Sequence, residues 1–232
     1  TTASSVPANT TAVVVNSGTI NTKEAAGIVI NGGSTVWDYS TQTQDVLVSI
    51  GNSGSVTSAG SSTGNASTAI DAYSSGAITI NNSGTVNSKK GTAISAINGS
   101  NSDINVTNTG TINAFYTGIS THSFEGGDVT VNNSGNIVGH VSATAENLIS
   151  DTVGHVVINN SGNINGQVSA SISSFGLGTQ IVNDELIVIN NSGFIKSSKY
   201  AGIAASSILW TDFSVPILIN STGTVIGDQR GI

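Results

Sequence analysis

The chain has 232 residues, of which only 8% are charged and 5% aromatic, with 28 glycines and much of the rest Ser, Thr and Asn. A formal charge of −7, with Arg230 the one arginine beside five lysines, provides no basic stripe to neutralise phosphates, which argues against nucleic acid as a partner. Disorder needs low hydrophobicity, whereas 37% of these residues are hydrophobic and the mean hydropathy is positive, +0.14.

With no Cys, neither disulfides nor thiolate metal sites are available, and packing and hydrogen bonds must hold the fold. The chain contains no Met and opens Thr1-Thr2-Ala3-Ser4-Ser5, which suggests a removed leader or an internal fragment. No apolar run reaches the roughly 20 residues of a membrane helix, so direct membrane insertion is not expected.

In chain order, residues 1–11 read as a short polar N-terminal extension and 12–232 as one repetitive domain. The repeat is an apolar residue, a spacer, Asn, Ser or Thr, Gly, any residue, then Ile or Val. Its glycines are Gly18, Gly54, Gly84, Gly110, Gly135, Gly162, Gly193 and Gly223, spaced by 36, 30, 26, 25, 27, 31 and 30 residues. Four places before them stand Val14, Ile50, Ile80, Val106, Val131, Ile158, Ile189 and Ile219, and six before them Ala12, Val48, Ile78, Ile104, Val129, Val156, Ile187 and Ile217. Ile or Val always follows two places after the glycine, so period-two alternation flanks a turn on both sides and predicts strand, corner, strand.

A third strand is predicted six to sixteen residues after each glycine, where a β-branched residue precedes a small one by two: Ile70 with Ala72, Ile94 with Ala96, Val141 with Ala143, Val168 with Ala170, Ile203 with Ala205. Three short strands per repeat predict an all-β, right-handed parallel β-helix of about eight coils. At roughly 4.8 Å per coil the rod is roughly 35 to 40 Å long.

The column Asn16, Asn52, Asn82, Asn108, Asn133, Asn160 and Asn191, closed by Ser221, predicts a ladder of stacked amides that satisfies polar groups at a corner. The glycine beside each is expected to supply the positive φ of a tight turn.

The motif Asn-Asn-Ser-Gly-Thr/Asn-Ile/Val, as in Asn81 to Val86 and Asn159 to Ile164, resembles passenger repeats of Gram-negative autotransporters and related adhesins over nearly the whole chain. The resemblance implies a β-helix, secretion to the exterior or cell surface of a bacterium, and a role as adhesin, biofilm component, toxin or enzyme.

Chemistry is sparse. Polysaccharide-cutting β-helix enzymes need two or three carboxylates converging on neighbouring coils. Asp71 is matched in the next coils by Ser95, Ser120 and Ser142, so no pair forms there. Seven places before the glycine, Asp103, Asp128 and His155 occupy three consecutive coils: either an acid/base or metal site, or a solvated face on which His155 relieves carboxylate repulsion. His122 and His140 fall in other registers. The Asn-x-Ser/Thr triplets, such as Asn65-Ala66-Ser67, are mostly by-products of the corner motif. No catalytic set, cofactor or metal is assigned.

No cap is evident at either end, and Gly231-Ile232 aligns with Gly202-Ile203 and Gly118-Ile119, the opening of a third strand. Larger aromatics gather toward the ends: Trp37 and Tyr39 in the first repeat, Trp210 and Phe213 in the seventh, as loop anchors or across a subunit junction. These features lead to an expectation of a non-catalytic extracellular structural protein that adds head-to-tail, copy upon copy, into a surface fibre or matrix component. Its alternative is an adhesin that contacts a host or neighbouring cell through loops 31–45, 57–67, 173–184 and 207–216. A polysaccharide-active enzyme using Asp103, Asp128 and His155 is the third.

Overall fold

Alternating β-branched and small polar residues favour extended chain with one buried face, and the Gly corners break each extended run after five or six residues. The computed structural model describes residues 11–32, 46–60, 67–147, 154–174, 186–209 and 215–228, and every regular element among them is a β-strand. All strand pairings within the ladders are parallel, and the chain is a β-solenoid.

The first strands of the coils form one eight-stranded sheet. In order they are Thr11–Asn16, Leu47–Asn52, Ile78–Asn82, Ile104–Asn108, Val129–Asn133, Val156–Asn160, Ile187–Asn191 and Ile217–Ser221. They define coils 1 to 8. The register is unshifted from end to end, so Val14, Ile50, Ile80, Val106, Val131, Ile158, Ile189 and Ile219 form one stack. Second strands stack Ile20, Val56, Val86, Ile112, Ile137, Ile164, Ile195 and Val225. Third strands stack Ile28, Ile70, Ile94, Ile119, Val141, Val168 and Ile203.

These columns are the core. Residues such as Ile50, Ile80, Ile112, Ile119 and Ile158 are fully buried, each contributing about 1.5–3 kcal/mol relative to exposure. The small member of four of the third-strand pairs (Ala72, Ala96, Ala143, Ala170) is buried as well, Ala205 is partly buried, and their size keeps the interior narrow enough to fill.

In coils 4 and 5 the second and third strands run together, as Thr111–Ser123 and Asn136–Asn147. Connector length alone does not decide this, since Val168 follows Gly162 by the same six residues as Val141 follows Gly135, yet Asn163–Asn165 and Val168–Ser174 remain separate strands. The bend is absorbed at Gly139, whose φ of +126° lies where other L-residues are strained, and by register shifts between Asn113 and Ile119.

Candidate functional site

The corner after the first strand is the most regular surface of the rod. Each ladder amide donates from Nδ2 to Oδ1 of the next coil's asparagine, from Asn16 to Asn52, Asn82, Asn108, Asn133, Asn160 and Asn191, at 2.7 to 2.8 Å. The series ends on Ser221, whose Oγ accepts from Asn191 at 3.2 Å. Each Nδ2 also donates to its own corner glycine's carbonyl, at 3.2 to 3.5 Å. All seven asparagines are buried, so these bonds offset the desolvation of the amide.

The backbone repeats as strictly. In coil 2, Ser53 and Gly54 donate N–H to the Asn16 carbonyl and Ser55 donates to the Gly18 carbonyl. The same three bonds recur in every later coil, through Thr222 and Gly223 to Asn191 and Thr224 to Gly193.

The corner glycines are required for a different reason from the one their sequence position suggests. None of the eight has a positive φ; that conformation belongs to Gly60, Gly126 and Gly139. A Cβ on Gly54, Gly84, Gly110, Gly135, Gly162, Gly193 or Gly223 would instead lie 2.0 to 2.1 Å from the carbonyl oxygen of the corner glycine one coil earlier. Close coil-to-coil approach, rather than turn geometry, excludes a side chain.

Asp103, Asp128 and His155 do lie together, and their groups face the backbone. Asp103 Oδ1 accepts the Asp128 N–H at 3.0 Å, and Asp128 Oδ1 accepts the His155 N–H at 2.8 Å and approaches His155 Nδ1 at 3.0 Å. Each carboxylate therefore caps the start of the next coil's strand on an exposed face. Elsewhere His122 Nε2 meets Glu146 Oε2 at 2.8 Å and stacks on Phe124. His140 Nδ1 accepts the Gln167 N–H at 2.9 Å, and its ring meets Tyr200 edge-on at 5.5 Å. Burial first, and then the Lys199 ammonium, lower the His140 pKa. Among the described residues no three His, Cys, Asp or Glu side chains converge as a metal site would require, and no helix is long and apolar enough to cross a membrane. Trp37, Tyr39, Trp210 and Phe213, Gly231-Ile232 and most of the four loops lie outside the described residues.

Three features escape the sequence pattern. A second amide ladder, outside the first and of opposite polarity, runs from Asn220 to Asn190, Asn159 and Asn132 at 2.8 to 2.9 Å. It lines an open groove of about 340 Å³ with Ser134, Ser161 and Ser192. The other two corners carry buried small polar residues, among them Ser58, Ser74, Asn98 and Ser123, that bond backbone groups where the chain turns. Finally, burial falls off in the first and last described coils: Ile217 is 43% exposed although Ile187, one coil earlier, is fully buried, and Ala12, Val14 and Ile20 are partly buried.

Compared with known proteins, the chain matches no protein-family model, no curated protein and no solved structure.

Proposed function

We propose that this protein is a non-catalytic structural element of the bacterial exterior, a rod that adds copy upon copy, head-to-tail, into a surface fibre or matrix component. The observation that carries this reading is the unshifted parallel register of the stacked coils, in which the edge of each coil is the template for the next. Coils 1 and 8 repeat the interior pattern in sequence and register, and among the described residues Ala12, Val14, Ile20, Ile217, Ile219 and Val225 are less covered than their interior counterparts. An exposed strand edge with an apolar column behind it is a template for parallel strand addition. The two ends of a solenoid are different surfaces, so their contact is heterologous and propagates.

The sides of the rod support the same reading. The ionisable side chains of the Asp103–Asp128–His155 column engage backbone N–H groups and each other, and the outer faces present amides and hydroxyls with few charges to oppose close packing. Secretion to the cell surface rests on the resemblance to autotransporter passengers. Sedimentation velocity over a hundredfold concentration range tests the proposal. Assembly into progressively longer species supports it, and a single species of one chain at every concentration overturns it.

One observation favours an adhesive role instead. Phe115, Tyr116, Val138 and Tyr200 are exposed at the corner after the second strand of coils 4, 5 and 7. Aromatic rings held on a rigid edge are suited to contact a partner at low entropic cost. Joint replacement of Phe115 and Tyr116 by Ser weakens cell-surface binding at least tenfold on that reading and leaves assembly unchanged.

A further inference from the structure

We propose that the outer face of the third-strand sheet pairs with the same face of a second copy, the two rods lying parallel about a two-fold axis that runs along their length. The contact is lateral and goes beyond the axial reading, on which it does not depend.

Charge is sorted across the rod rather than along it. All five lysines are exposed, and all five stand where the second strand hands over to the third. Lys23 follows Thr19–Thr22 in coil 1, and Lys89 and Lys90 follow Thr85–Ser88 in coil 3. In coil 7, Lys196 closes Phe194–Lys196 and Lys199 comes just after it. Glu24 and Asp228 are the described carboxylates at that corner. The other flank of the third sheet, where the chain passes to the next first strand, is acidic. Asp103, Glu125 and Asp128 lie there, and Glu146 stands near the end of Asn136–Asn147. Among the described residues no Lys or Arg stands on that flank.

Between the flanks the face is uncharged along its midline. The outward residues at the fourth place of the third strands run Tyr73, Ile97, His122, Thr144, Ser171 and Ser206 in unshifted register, and none is Lys, Arg, Asp or Glu. From coil 5 onward this column and its neighbour (Ser142, Ser169, Ala204) carry only small side chains, so the surface is flat. Asp71, in coil 2, is the carboxylate on the face itself, at the second place of its strand. Phe115, Tyr116 and Tyr200, exposed at the basic corner, add aromatic rings to that rim. A centre depleted in charge, with a polar rim that includes aromatics, is the composition of a protein–protein interface.

The face is also large enough. Seven third strands at roughly 4.8 Å span about 34 Å, and strands of five to seven residues at roughly 3.3 Å span about 20 Å. That is on the order of 700 Å² per copy, close to the about 800 Å² per partner of a stable interface of standard size.

Symmetry selects the arrangement. When two copies of one face meet about a two-fold along the rods, their flanks are exchanged, so each basic flank faces an acidic one, twice over. The same operation keeps every coil opposite its own counterpart. Lys89 and Lys90, at the basic corner of coil 3, then face Asp103 of the second copy, at the acidic corner of that coil. A two-fold across the rods, which makes them antiparallel, sets lysines against lysines and carboxylates against carboxylates, and like charges so placed oppose the contact. The pairing is isologous and closes at two chains. An acidic polysaccharide matches the basic flank alone, whereas a second copy matches both flanks.

The test uses the whole chain at about 0.1 M and about 1 M salt, where screening lengths are roughly 10 and 3 Å. Sedimentation equilibrium shows two chains per particle at the lower salt, and pairing weaker on the order of tenfold at the higher. Lys89→Glu with Lys90→Glu weakens pairing as much as high salt does, and so does Asp103→Lys. The three substitutions together exchange the flanks at coil 3 and restore it. Because Asp103 accepts the Asp128 N–H, circular dichroism checks that each variant is folded. Orientation is read with single cysteines, the chain having none of its own. Ile97→Cys and Ser206→Cys lie on the midline four coil spacings apart, roughly 19 Å. In the parallel pair each faces its own copy across about 10 Å, and a bismaleimide of that reach gives two-chain bands on a denaturing gel for both variants. No antiparallel register brings both within reach.

Linkage at both positions with rescue by the triple variant supports the parallel pair. Linkage at one position or neither in a wild-type dimer overturns it. A chain that stays single at low salt also overturns it; if the Lys89→Glu, Lys90→Glu variant then loses a binding to polygalacturonate that wild type shows, the basic flank serves an acidic polysaccharide. Axial stacking has a separate sign: species longer than two chains that persist at about 1 M salt and in the lysine variant. Pairing can therefore fail while the fibre reading stands, and a dimer that grows no further at any concentration supports pairing and overturns the fibre.

Discussion

Replacing Gly110 with alanine separates two accounts of the corner glycines by the sign of one number. Its φ is not positive, so if only local conformation mattered, alanine would stabilise by about 0.4–1 kcal/mol through the unfolded state. The structure gives the opposite sign. An alanine Cβ at Gly110 would lie 2.1 Å from the Gly84 carbonyl oxygen and 2.7 Å from the Ser83 carbonyl carbon. Ordinary carbon to oxygen contacts begin near 3.3 Å, so about 1.2 Å must open between coils that stack at about 4.8 Å. Backbone lies on both sides and neither side has a rotamer to change, which places the cost at or above the upper end of overpacking, about 3 kcal/mol. For a chain of this size that lowers the thermal midpoint by roughly 6–12 °C. The assay is thermal and urea unfolding followed by far-ultraviolet circular dichroism. Because solenoids need not unfold in two states, midpoints rather than extrapolated free energies are compared. A Gly110→Ala midpoint at or above wild type refutes the close-approach account.

Further outcomes follow from the ladders and the histidines. Asn133→Ala leaves the Asn108 amide and Asn160 Oδ1 without their buried partners, costing about 2–6 kcal/mol at roughly 1–3 per stranded group, seen as a lower urea midpoint. Asn159→Ala, in the more exposed outer ladder, shifts stability by no more than about 0.5 kcal/mol in the same assay. Because its folded pKa is lowered, His140 is neutral in both states well above about pH 6.5 and contributes no pH dependence there. As pH falls through the unfolded value the unfolded chain takes the proton first, so stability drops until the folded value is passed. In a pH series of urea midpoints, His140→Gln flattens that part of the profile. Asp128→Asn keeps an oxygen to accept the His155 N–H and leaves the thermal midpoint within about 2 °C of wild type.

The columns of Ile and Val, the ladder asparagines and the third strands were legible because a solenoid gives each coil the same steric problem, and the sequence answers it eight times. The reason for the glycines was not read correctly, although a signal existed. A corner that only needed positive φ tolerates Asn in some copies, whereas these eight positions carry Gly without exception. The outer ladder was missed because its column begins Val15, Gly51, Asn81, Thr107 and becomes uniform only from Asn132 onward. Asp103 and Asp128 were placed correctly next to each other and to His155. Their engagement with backbone N–H groups was invisible, because a sequence column fixes which side chains neighbour one another but not which way a carboxylate turns. The fused strands of coils 4 and 5 do not follow connector length, since coil 6 has the same spacing as coil 5 and keeps two strands, and the repeat itself does not encode them.

Axial stacking of copies through coils 8 and 1 is tested most directly by electron cryomicroscopy of the concentrated chain. End-to-end stacking predicts filaments whose strands continue at about 4.8 Å through the junction and whose subunits repeat at about 38 Å, eight coils per copy. Single rods at every concentration, or filaments in which copies meet side to side with their ends free, would contradict it.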